Sequence, residues 1–102
     1  MKSITIPDSV TVIGDSAFRG CSNLTSITIP DSVTVIGYDA FSGCSSLKEV
    51  YCEPTTPPTL GWSAFSGNAS GRKIYVPVGS GAAYKAADGW KDYASMIEEK
   101  EM

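Results

Sequence analysis

The side chains that carry most protein chemistry are thinly supplied in this sequence. It has no histidine, which removes the commonest general base and the commonest metal ligand together. Fourteen serines are present, but a serine nucleophile needs a neighbouring base oriented by a third group. A Ser–Lys arrangement is the one route left, and the sequence singles out no pair for it. Paired carboxylates do acid–base work when a cleft holds them together. Asp8 and Asp31 are such a pair by spacing, yet each follows a proline in a Pro-Asp-Ser turn, where aspartate is favoured for local hydrogen bonding. Glu98, Glu99 and Glu101 read as a solvated C-terminal stretch. The three cysteines, Cys21, Cys44 and Cys52, lack both CxxC spacing and the four ligands of a tetrahedral zinc site. Gly79-Ser80-Gly81 is not followed by the pattern of a phosphate loop and reads as a hinge. No metal, no cofactor and no enzymatic activity are expected.

Composition narrows the remaining classes. A chain of 102 residues is one domain or a piece of one. Eight basic against 11 acidic residues, a net charge of −3, argue against a nucleic-acid partner, whose footprint is a basic patch or stripe. With 42% apolar residues the chain can support a core, although a small one. No stretch has the length and apolarity of a signal peptide or a membrane span.

The elements that position these side chains follow from a repeat. Residues 3–25 read SITIPDSVTVIGDSAFRGCSNLT and residues 26–48 read SITIPDSVTVIGYDAFSGCSSLK, identical at 18 of 23 positions. A degraded third unit carries Val50-Tyr51-Cys52 and then Ala64-Phe65-Ser66-Gly67, and a fourth start is Ile74-Tyr75-Val76-Pro77. Leu24 and Leu47 place the next position upstream at Met1, so the chain begins in mid-repeat, and a longer array with no cap on the first unit is expected. Within a unit, Ile4 and Ile6 alternate with Ser3, Thr5 and Pro7, as in a strand with one buried face. Val10 to Ile13 is β-branched enough for a second short strand before Gly14. Stacking at about 4.8 Å per unit would build ladders of Ile4/Ile27/Val50/Ile74, Phe18/Phe41/Phe65 and Cys21/Cys44. Side chains stacked in parallel suit a disulfide poorly, so Cys21 and Cys44 are read as core thiols.

The pattern Ile-x-Ile-Pro-x-x-Val-x-x-Ile-Gly-x-x-Ala-Phe-x-x-Cys, at 4–21 and again at 27–44, resembles the BspA-type leucine-rich repeats. The resemblance implies a mostly β, right-handed repeat solenoid of about three 23–24-residue coils. It also implies a place on a bacterial cell surface or in a secreted protein, and a role in adhesion. The expected organisation is a repeat region over 1–77, with coils 1–25, 26–48 and 49–73 and the start of a fourth at 74–77, then a small C-terminal α/β cap over 78–102. The third coil loses Val-x-x-Ile-Gly, and its three prolines, Pro54, Pro57 and Pro58, argue against a regular ladder there. Residues 82–87 read as a short helix stopped by Gly89, and Tyr93 to Ile97 as a further turn or strand. Trp90, Tyr93 and Ile97 are chosen to cover the end of the stack.

With the catalytic inventory empty, surface remains. Outward strand residues would form two rows: Ser3, Ser26, Glu49 and Lys73, then Thr5, Thr28, Tyr51 and Tyr75. Tyr51 beside Tyr75 forms a rigid, amphipathic contact suited to protein or sugar, although cross-strand tyrosines also simply stabilise sheets. The candidate binding face is therefore Thr5, Thr28, Glu49, Tyr51, Lys73 and Tyr75, with a protein or glycan as ligand. Tyr38, at a position that varies between the repeats, reads as plain surface. The alternative is a structural spacer or self-assembly unit, pairing through the uncapped first coil.

Overall fold

The alternation of β-branched and hydroxyl-bearing residues in each repeat is realised as parallel sheet. The computed structural model describes residues 3–101. The chain runs β1 (Ser3–Thr5), β2 (Val12–Ile13), β3 (Ser26–Ile29), β4 (Val35–Ile36), β5 (Glu49–Cys52), β6 (Thr59–Leu60), β7 (Lys73–Val76), α1 (Gly81–Ala86), a 3-10 helix (Trp90–Met96) and β8 (Ile97–Glu99). Among the described residues, β1, β3, β5, β7 and β8 form one parallel sheet in that order, and β2, β4 and β6 form a second.

Register follows the repeat. Ile4 pairs with Ile27, Ile27 with Val50, and Val50 with Ile74, so the expected aliphatic ladder is present. The turns are laddered as well: Phe18 N–H donates to Ala40 O and Phe41 N–H to Ala64 O, each at 2.8 Å. That backbone contact sets the phenylalanines in a column, with ring centroids 5.3 Å apart for Phe18–Phe41 and 5.4 Å for Phe41–Phe65. Phe41 is fully buried, which contributes about 1.5–3 kcal/mol by removal from water. Ser16, Asp39 and Ser63 hold the same left-handed turn, with φ of 58°, 58° and 57°. The three cysteines are free, and the Cys44 thiol donates to Phe18 O at 3.1 Å. In the third repeat Asn68 takes over, its amide donating to Phe41 O at 2.9 Å.

Two expectations need correction. The second strand is not lost from the third repeat: Thr59 and Leu60 pair with Val35 and Ile36, and Gly61 N–H donates to Ile36 O at 2.8 Å. Prolines interrupt the ladder only between Glu53, whose N–H still reaches Ile29 O, and Thr59, whose N–H reaches Thr34 O. Nor is Gly81 in a hinge. It opens α1 and is buried, with its N–H donating to Glu99 Oε2 at 2.9 Å.

The last repeat is covered by aromatic side chains. Trp90 and Tyr93 pack on Phe65 with centroids at 5.8 and 5.7 Å, and Tyr84 meets Trp90 edge-on at 4.9 Å. Ile97, the third residue expected to cover this end, does so from within the sheet: it is buried, pairs with Ile74 and begins the fifth strand. Where the first two repeats carry Leu24 and Leu47, the third carries Gly71. The half-buried Arg72 beside it lays its guanidinium 4.9 Å from the Tyr93 ring centroid and donates to Phe65 O at 2.7 Å. Burial lowers the pKa of this guanidinium below its ordinary value.

Candidate functional site

The two rows expected on the outer face of the large sheet are in register. Ser3, Ser26, Glu49 and Lys73 are successive partners, and so are Thr5, Thr28, Tyr51 and Tyr75. Thr5 is placed here by its backbone, and its side chain lies outside the described residues. Thr28 and Glu49 are exposed, while Tyr51, Lys73 and Tyr75 are half-buried.

The tyrosines stack at 5.2 Å between centroids with planes 18° apart. Burial raises the Tyr51 phenol above its ordinary value, and the neighbouring Glu49 carboxylate adds to the shift. β8 contributes what the sequence reading left out. Glu98 is the sheet partner of Tyr75 and forms an ion pair with Lys73 at 2.6 Å. Its hydrogen bond holds the Lys73 ammonium above its ordinary pKa. Lys100 sits 5.6 Å from the Tyr75 ring centroid. The face is thus an aromatic step between the Ser26 and Thr28 surface of β3 and a charged margin from β7 and β8. It offers stacking area and charge-assisted hydrogen bonds.

A second aromatic feature went unread. Asp15, Tyr38 and Trp62 hold one position in the three repeats, as Ser16 N–H donating to Tyr38 O and Asp39 N–H donating to Trp62 O show, each at 2.9 Å. Trp62 is 87% exposed and Tyr38 53%. The signal was present: this is among the few positions at which the first two repeats differ, and it passes from Asp to Tyr to Trp. The one-residue shift of the third repeat hid the last step.

Among the described residues no helix is long and apolar enough to cross a membrane. The family model described as BspA type leucine rich repeat region (6 copies) matches residues 1–83. A comparison with characterised proteins found no significant match.

Proposed function

Because the chain belongs to the BspA-type leucine-rich-repeat family, we propose that it is a non-catalytic binding module of a bacterial surface or secreted protein, wound as a right-handed solenoid. The right hand is the one that parallel strand crossovers adopt almost without exception. The ligand is a protein or glycan, taken on the outer face of the large sheet. The observation that carries this reading is the stacked Tyr51–Tyr75 pair, half-buried between Thr28 on one side and the Lys73–Glu98 ion pair on the other. Aromatic side chains locked by stacking give contact area at little entropic cost, which is why they dominate recognition surfaces. The absence of histidine from the sequence supports a role without acid–base chemistry.

An array of immobilised glycans and extracellular proteins, probed with the chain and with the Tyr51→Ala/Tyr75→Ala variant, tests the proposal. Capture by the parent chain that the double variant loses would support the face. Equal capture by both would overturn it, and turnover of a hydrolase substrate would overturn the non-catalytic reading.

One observation favours a second reading, a self-assembly unit. Among the described residues β1 lies at the edge of the large sheet, and Ile4 within it and Val12 and Phe18 in the same repeat retain exposed apolar surface. Edge backbone and apolar area together invite a second chain. Light scattering across a concentration series would report a dimer on that reading and a concentration-independent monomer against it.

A further inference from the structure

Tyr38 and Trp62 stand at equivalent positions on adjacent repeats, and neither is used by the core or by the sheet face. An indole 87% exposed is an expensive side chain to leave in water, and Tyr38 next to it is more than half exposed. Two carboxylates lie beside Tyr38. Asp15 sits one repeat before Tyr38 and accepts its N–H at 3.2 Å. Asp39 follows Tyr38 directly. Both carboxylates push the Tyr38 phenol above its ordinary value, Asp15 the more strongly, so both bear on the rim of that ring. Ring faces with carboxylates at their edge attract a cation, first through the ring quadrupole and second through Coulomb attraction.

Among the described residues, the cation–ring contacts lie on Phe65, Tyr93 and Tyr75. The rings of Tyr38 and Trp62 have no such partner among the described residues, which leaves their faces open to a cation brought by a partner. We propose that the Asp15–Tyr38–Trp62 column, with Asp39, is a docking surface for an arginine-bearing segment of a partner protein. Both rings are exposed, which suits an extended peptide lying across them better than a small cation needing a cage. Arginine is preferred to lysine because its planar guanidinium stacks on an indole and still donates to carboxylates at its edge. The chain makes this contact internally, where the Arg72 guanidinium lies 4.9 Å from the centroid of Tyr93.

The two tryptophans make the test direct, since Trp90 is fully buried and an emission change on binding reports Trp62. Hexa-arginine is titrated into the chain at low and high salt, beside hexa-lysine and a neutral hexasaccharide, with fluorescence and calorimetry as readouts. A saturable shift in Trp62 emission is expected, weaker with hexa-lysine and weakened by salt. Trp62→Ala and the Asp15→Asn/Asp39→Asn variant should each weaken hexa-arginine binding by about five-fold or more. Circular dichroism of these surface variants should be unchanged, and Tyr51→Ala/Tyr75→Ala should bind as the parent does, which separates this surface from the sheet face. Binding unaffected by Trp62→Ala, or an equal emission shift with the neutral hexasaccharide, would overturn the proposal.

Discussion

The Trp90 indole N–H donates to the carbonyl of Pro58 at 2.7 Å, across 32 residues of chain. The Tyr84 hydroxyl makes the matching bond to Pro54 O, also at 2.7 Å. Both prolines and both aromatic residues are buried, so the carbonyls cannot turn to water. The proline-rich bend, which has left the ladder, is thus completed by donors from the C-terminal segment. Trp90→Phe and Tyr84→Phe keep most of the packing and strand one carbonyl each, so each should cost about 1–3 kcal/mol in urea unfolding. Trp90→Ala, which also opens a cavity against Phe65 and Tyr84, should cost about 3–5 kcal/mol.

The same burial sets an alkaline limit. Burial raises the Tyr84 phenol and the Cys52 thiol well above their ordinary values of 10.0 and 9.0. Below about pH 8 both groups are protonated in folded and unfolded chains alike, and neither makes stability depend on pH. Above it the unfolded chain releases these protons while the folded chain keeps them. Stability therefore falls as pH rises from the ordinary values towards the raised ones. Thermal melts between pH 8 and 11 should show a decline that is shallower in the Tyr84→Phe/Cys52→Ala variant, once each curve is referred to its own value at pH 8.

Glycine after the second strand makes an internal control. A Cβ on Gly37 or Gly61 would overlap the backbone of Asp15 or Tyr38 in the preceding repeat, whereas one on Gly14 meets open space. Gly37→Ala and Gly61→Ala should each destabilise by about 1–3 kcal/mol through forced separation of the repeats. Gly14→Ala should stay within about 1 kcal/mol of the parent, on the stabilising side, because alanine has fewer unfolded conformations to lose. Chemical denaturation of the three variants checks the order.

Thiol labelling should follow burial. Cys21 is half-buried, while Cys44 and Cys52 are fully buried and their thiols are raised by desolvation. With a maleimide at neutral pH, Cys21 should react first and the other two only at the rate of opening. Mass spectrometry of the time course would read this directly.

How far the sequence carried depended on how well each element kept the 23-residue period. Ile4, Ile27, Val50 and Ile74 could be placed opposite one another because each strand repeats the same alternation, and Tyr51 beside Tyr75 followed from that register. β6 was missed because one extra residue precedes it and Leu60 stands where the repeats carry Ile13 and Ile36. Trp62 was lost in the same shift. β8 breaks the pattern further: in Ile97-Glu98-Glu99 a single apolar residue faces inward, too few for alternation to register. Glu98 and Lys100, which supply the charged half of the candidate face, could not be assigned without that strand. Arg72 was passed over because a charge beside Gly71 reads as solvent, and only the rings of Phe65 and Tyr93 explain why it folds inward.

β8 also gives the array a direction. It carries Glu98 and Glu99, with Lys100 directly after it, charges that discourage another strand from adding there. The first two repeats share one hydrogen-bonding pattern and differ at few positions, and Trp90, Tyr84 and Arg72 bond instead to the third repeat, so a 23-residue unit duplicated ahead of it leaves their contacts untouched. The number of near-identical units is thus uncoupled from how the face of the third repeat is covered.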